Sequence, residues 1–442
     1  MRGVTPAAGS STVAADQGSE TRCRRNCRRR GYPAPAVRRP ESLAVLRQRD
    51  FRLVFGAFAV SVLGDRMVNI ALAFAVLGLG GSASDVGIVL AARTLPLVLS
   101  VLIGGVVADR VSRRAVMVVA DLSRVATQGV LAALLIAGAP PIWAIAVLSG
   151  LTGAATGFFS PASTGLLPAV VAPEHLQQAN GLRATAMSGG EIVGPALAGV
   201  LVAAAGPGWA LGIDAATFAV SAAFLAALRL PPRLPRPRTA FLADLRDGWT
   251  AFRSLTWVWS IVASATVGNI LWPAFGVLGP VIAKRELGGA AVWGTVMAGM
   301  GIGALAGSLV AIRARPRRPL RLAVLSFTMF AAPTAALAAG LPTPLLVVGT
   351  VLAGGGMMLG ESLWQSALQR HVPSEALSRV SAYDWFGSLA FNPLGYAIWG
   401  PIAAAIGIEP ALWVASALLL CSILPLLAIR SIRELDLASS AP

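Results

Sequence analysis

Asp65, Arg93 and Glu191 each interrupt a run of about twenty apolar residues, the length that crosses a bilayer as a helix. Burying a charge at such a depth costs about 2.5–3.5 kcal/mol on the lenient scale, so each residue needs a partner or a task. A carboxylate that desolvation pushes toward its acid form, and a guanidinium pulls back, takes up and releases a proton as its surroundings change. A permanent structural ion pair is the other reading of the same residues. Ser61 and Asn69 stand four residues either side of Asp65 and share its helical face, whereas Arg66 points about 100° away and reads as a structural partner.

A second charged constellation, Gly105 to Arg114 (GVVADRVSRR), is wedged between the apolar runs 84–108 and 115–138. It is a short loop at a membrane face, and its excess of arginine predicts the cytoplasmic side. Gly105, four residues before Asp109, is expected to let one helix end approach a neighbour. Asp109, Arg110, Arg113 and Arg114 are then free to pair with one another or with helix ends. Such a loop suits locking and unlocking. A loop that only set topology would need the arginines but neither Gly105 nor Asp109 at these spacings.

The elements that must position these groups are membrane helices. Of 442 residues 56% are hydrophobic and 13% charged, with a mean hydropathy of +0.71, against about 25% charged in soluble proteins. Apolar segments run over 53–79, 84–108, 115–138, 142–164, 181–206 and 209–230, then over 255–283, 290–312, 319–340, 343–367, 381–406 and 410–430. The reading is an all-α membrane protein of twelve transmembrane helices in two six-helix halves, 46–230 and 255–430. An arginine-rich tail (1–45), a Pro-rich linker (231–254) and a short tail (431–442) complete the chain, the first tail reading as disordered. Alternate loops are rich in arginine, and the turns at 80–83, 139–141, 206–208, 341–342 and 407–410 contain no Lys or Arg; Lys284 and Arg285 are the exception. Both termini are therefore expected in the cytoplasm.

The net charge of +16 resides in those loops, so it reports topology and excludes nucleic-acid binding. Cys23, Cys27 and Cys421 have no further ligand spaced to complete a metal site. The two histidines, His175 and His371, fall in loops, and no phosphate-binding Gly-rich loop is present, so neither catalysis nor a cofactor is expected.

Shifting the chain by 201 positions places Glu174 on Glu375, Gly194 on Gly395, Gly199 on Gly400 and Gly206 on Gly407. A same-direction repeat after six crossings implies halves related by an axis along the membrane normal. Glycines at every fourth residue, Gly299, Gly303 and Gly307, or Gly190 and Gly194 with Ala198, allow close helix contact in lipid.

The loop G-x-x-x-D-R-x-[GS]-R-R, with LRQRDFRLVF, SVLGDRM, FFSPA, QQANGLRA, GPALAGVL, GIDAATFAVSA and SRVSAYDW, resembles the major facilitator superfamily, in its enterobactin-exporter and macrolide-efflux branch. The resemblance implies a bacterial inner-membrane exporter of small amphiphilic compounds, expected to be monomeric and driven by proton exchange; the alternatives are solute uptake by the same fold and a non-transporting membrane scaffold or receptor. It also places the first, second and fifth helices side by side, so that Asp65, Arg93 and Glu191 would form one buried network. Gly190, Gly194, Pro195 and Gly199 resemble the helix-5 antiporter motif, with Ala198 as a departure. Ala311 stands where a second-half copy of the loop motif would have an acid. The cavity is expected to be lined by Asn69, Asn269, Trp272, Glu361 and Trp364, with few fixed charges. Asp121 and Arg124 are expected to pair near the inner face, Asp214 to be interfacial or capping, and Asp384 to serve gating.

Overall fold

The structure, a computed structural model, describes residues 44–138, 140–229, 249–250 and 252–435. The first tail up to residue 43, most of the predicted linker and the end from 436 lie outside them. The first half holds α1 (Arg49–Gly78), α2 (Ala83–Arg110), α3 (Arg113–Ala137), α4 (Ile142–Val170), α5 (Leu176–Ala205) and α6 (Pro207–Ala226). The second half holds α7 (Thr256–Leu287), α8 (Ala290–Arg313), α9 (Pro319–Ala338), α10 (Thr343–His371), α11 (Ser374–Leu389 continued by Asn392–Ile406) and α12 (Ile408–Ala428). Each is long and apolar enough to cross a membrane, and no strand occurs among the described residues.

Two of the helices that read as continuous apolar runs are broken in ways hydropathy does not register. α7 restarts at Pro273, which cannot donate to the preceding turn, and closes in a wide π-turn over Ala283–Leu287. α11 restarts at Asn392–Pro393. Ser82 opens α2 with a reciprocal cap: its hydroxyl accepts from the Asp85 amide at 3.3 Å, and Asp85 accepts from the Ser82 amide at 2.8 Å. α5 and α11 both end on a glycine in a backbone conformation that side chains rarely adopt, Gly206 at φ 92° and Gly407 at φ 94°. These two positions are a pair of the 201-residue repeat.

Within the first half α1 packs on α5 and α6, α2 on α4, and α3 on α4 and α6; in the second, α8 and α9 pack on α10. The halves join along α5–α8 and α2–α11, which are equivalent pairs under the repeat. A methyl group at Gly199 would lie 2.6 Å from the Ala290 carbonyl oxygen, one at Gly400 2.3 Å from Ser84 Cα, and one at Gly87 2.3 Å from the Tyr396 carbonyl oxygen. Only the second segment of α11 crosses to α2 in this way, while the first packs on α7 of its own half. The halves therefore meet at the face carrying the short turns. There Lys284, in the π-turn of α7, donates to the Leu77 carbonyl at the end of α1. Its charge serves as a cap on a helix C-terminus, which accounts for a lysine at a face otherwise poor in basic residues.

Candidate functional site: a charged core and a carboxylate-lined cavity

α3 carries Asp121, Arg124 and Gln128 at i, i+3 and i+7, and α6 carries Asp214, Thr217 and Ser221 at the same spacing. The two helices run antiparallel, so their polar residues match crosswise. Ser221 donates to Asp121 at 2.7 Å and Gln128 donates to Asp214 at 2.8 Å. Between them Arg124, 1% exposed, pairs with Asp121, lies 3.7 Å from Asp65 of α1, and stands over the rings of Phe159 and Phe218 at 4.3 and 4.1 Å. A desolvated guanidinium gains about 2 kcal/mol from such a ring, which helps to hold it here.

Arg93 of α2 donates to Asp65 at 3.3 Å and to Asn69 at 2.9 Å. Asp65 and Arg93 are partly exposed, at 26% and 13% of their side chains, whereas Asp121 and Asp214 are fully sealed. Asp65 thus joins an accessible surface to a closed polar core. The core holds three carboxylates (Asp65, Asp121, Asp214) against two guanidiniums (Arg93, Arg124), which pair with Asp65 and Asp121.

The structure brings Asp65, Arg93 and Asn69 together, but not Glu191. Glu191 pairs instead with Arg66 at 3.1 Å, because Arg66 projects from the face of α1 that turns toward α5. Asp121 and Arg124 do pair, yet in the core of the half rather than near its inner face. Asp214 is neither interfacial nor capping: it lies two turns inside α6, and the absent side chain of Gly64 brings α1 against it. The signal for this core was available in the matched i, i+3, i+7 polar spacing of two apolar segments.

In the arginine loop, Arg113 donates to the Gly165 carbonyl near the end of α4, and Arg114 to the Leu225 and Ala226 carbonyls at the end of α6. Both lie at helix C-termini, where a cation is favoured. Arg110 is exposed, and the side chain of Asp109 lies outside the described residues. A methyl group at Gly105 would meet nothing within 4 Å, so in this conformation the close approach expected there is absent. Gly104 makes one instead, where a methyl would lie 2.9 Å from the Gly157 carbonyl oxygen. On α5, Gly190 and Gly194 receive Val62 and Arg66 of α1, Gly199 receives α8, and the helix continues through Pro195.

In the second half a cavity of about 310 Å³ opens among α7, α9, α10, α11 and α12. Asn269, Trp272, Glu361 and Trp364 line it together, with Phe327 and Phe330, while Asn69 belongs to the charged core. Trp272 stacks on Phe330 at 3.9 Å. Asp384, expected at a gate, also lines the cavity and accepts from the Trp364 indole at 3.1 Å; Glu361 accepts from Gln365 at 2.8 Å. Two carboxylates and no Lys or Arg among its lining residues make the cavity more charged, and more one-sided, than the sequence suggested. Asp384 sits there because the first segment of α11 turns inward against α7. Such a surface offers aromatic faces and negative charge, which suits an amphiphile carrying a cation.

Residues 40–442 match the sequence model of the transmembrane secretion effectors. The chain is 29% identical to the multidrug efflux pump Tap of Mycobacterium tuberculosis (strain ATCC 25618 / H37Rv) over 414 residues, which is 88% of this chain and 95% of Tap. It is 30% identical to Tap of Mycolicibacterium fortuitum, over 88% of this chain and 97% of the relative. It is also 30% identical to the enterobactin exporter EntS of Escherichia coli O45:K1 (strain S88 / ExPEC), over 80% and 85% of the two chains. Among solved structures it resembles the peptide transporter POT in complex with sulfate, with a TM-score of 0.67, 13% identity, and 88% and 96% of the chains covered. A bacterial homolog of the human lysosomal transporter Spinster, solved inward-facing and unoccupied, gives a TM-score of 0.65 at 12% identity over 88% and 98%. At such identities these structures establish the shared fold.

Proposed function

The chain belongs to the transmembrane secretion effector family of the major facilitator superfamily and is an efflux transporter, a multi-pass membrane protein rather than an enzyme; from that premise we propose that its export is driven by proton exchange at Asp65. The observation that carries this reading is the place of Asp65, open to one side and tied on the other to Arg93 and Arg124. Ionised, it holds α1 to α2 and α3 through both guanidiniums. Protonation weakens those pairings and loosens the three helices together. Arg66 and Glu191 act in this scheme as a pair between α1 and α5.

We place the arginine loops and both termini on the cytoplasmic side of the bacterial inner membrane. On that topology the conformation joined at the turn face is open to the cytoplasm. Transport consists of rocking one half against the other around a site near the midplane, in a single chain. Gly105, Asp109, Arg110, Arg113 and Arg114 form the cytoplasmic gate, with Arg113 and Arg114 holding the first half rigid. The glycines of α5 and α8 are the surface along which the halves turn. Cargo binds the cavity of Asn269, Trp272, Glu361, Trp364 and Asp384, while Asn69 stays with Arg93 in the charged core of the first half. The multidrug and enterobactin exports named for the relatives support a partly apolar cargo.

The test expresses the protein in cells lacking their own pumps and follows accumulation of macrolides, cationic dyes and catechol siderophores. Lower accumulation of at least one class, reversed by a protonophore and lost in Asp65→Asn, is the expected result. Proton-dependent uptake, or full protonophore-sensitive export by Asp65→Asn, refutes the proposal.

A further inference from the structure

Asp214 differs from the other acids of the first-half core. Asp65 has two guanidiniums within 4 Å and Asp121 has one, together with the Ser221 hydroxyl. Asp214 has no such pairing among the described residues. It is 0% exposed, its Oδ2 accepts from the neutral Gln128 amide, and its Oδ1 has no hydrogen-bond partner among those residues. The charged groups that face it are Asp65 of α1, Arg93 of α2 and Arg124 of α3, both guanidiniums already engaged with Asp65; Glu191 of α5 is engaged with Arg66 instead. An acid enclosed in this way neutralises rather than remain an unpaired buried charge. The count agrees, since two guanidiniums balance two of the three carboxylates.

Gly64 supplies the connection. A methyl group there would lie 2.3 Å from Asp214 Oδ1 and 2.5 Å from Thr217 Oγ1, so the residue next to Asp65 leaves space for the Asp214 carboxyl to lie against α1. We propose that Asp214 carries a proton of the transport cycle: it is a carboxylic acid in this conformation and exchanges its proton with Asp65. This rests on the proton-coupled reading above. In the transfer the Asp214 O–H bond breaks, its electron pair stays on Asp214, and a new O–H bond forms on Asp65. Arg93 and Arg124, released by the neutralised Asp65, then balance the new anion. Asp65, whose side chain is partly exposed, is the port to the accessible surface, and Asp214 is the store behind it.

Infrared spectroscopy of the protein in vesicles at neutral pH tests the assignment, because a carboxylic acid has a C=O stretching band that carboxylates lack. The wild type should show such a band, Asp214→Asn should lose it, and Asp65→Asn should keep it. In parallel, Asp214→Asn should lose the protonophore response of export. A band unchanged in Asp214→Asn, or no band in the wild type, overturns the proposal. Should Asp214→Asn fail to fold, Gln128→Met decides: loss of the amide donor must move the band, and a band that stays in place overturns the assignment. Wild-type export indifferent to a protonophore would sink proton coupling and this store with it. A wild-type response kept in full by folded Asp214→Asn would sink the store alone.

Discussion

Gly87→Ala and Gly400→Ala probe the joint between the halves. In each, the added methyl would lie 2.3 Å from backbone, the Tyr396 carbonyl oxygen in one case and Ser84 Cα in the other, so no side-chain rotation relieves the clash. Overpacking of this kind costs about 1–3 kcal/mol, and a conformation in which the halves part at the turn face removes the cost. The equilibrium should therefore move away from the present conformation by about 5- to 150-fold. The readout is labelling of a cysteine placed at the exposed position 69, in a background without Cys23, Cys27 and Cys421, by an impermeant thiol reagent applied from the turn face. Both variants should label faster than the parent. Gly105→Ala, whose methyl meets nothing within 4 Å, is the matched control and should not. Labelling of Gly87→Ala and Gly400→Ala at the parent rate would refute the claim that these contacts hold the face closed.

Arg124→Leu leaves Asp121 and Asp65 short of a buried partner and should cost about 3–5 kcal/mol, read as a fall in melting temperature in detergent; Arg124→Lys should not restore it, because a lysine lacks the fork and the flat face between Phe159 and Phe218. An unchanged melt would mean that the core tolerates the loss by rearranging. Glu361→Gln and Asp384→Asn should each weaken binding of a cationic dye by about fivefold or more, equivalent to about 1 kcal/mol, and change that of a neutral macrolide less; equal losses for both ligands would remove charge as the basis. Lys284→Ala removes a charge-assisted hydrogen bond worth about 1.5–3 kcal/mol and should raise turn-face labelling in the same assay, with no rise counting against the cap.

The twelve helices were legible because hydrocarbon forbids long polar stretches, so each crossing leaves an apolar run between charged or turn-rich ends. Their breaks were not, since Pro273 and Asn392–Pro393 sit inside runs whose hydropathy is uninterrupted. Asp65 and Arg93 stood out as charges in apolar segments, and the structure sets them in contact. Grouping Glu191 with them failed on rotation about the helix axis: one residue along α1, Arg66 faces α5 and takes Glu191. Asp214 lies only seven residues after the start of α6, which in sequence looks like a helix end. Its burial depends on Gly64 of another helix, a contact no single segment reveals. Asp384 was misplaced for the related reason that the inward turn of α11 is set by packing on α7.

The charged ladder between α3 and α6 fills the first half with paired polar groups, while the second half keeps an open, aromatic chamber with two acids. On the functions proposed for them, the engine and the hold are on different halves of one chain, joined by close-fitting glycine surfaces. Substitutions around Trp272, Glu361 and Asp384 are thus free to alter what is carried without disturbing the residues that move protons. A lineage built on this plan can change its cargo while retaining its power source, and chimeras that exchange residues 255–430 between such transporters should inherit the substrate range of the donor.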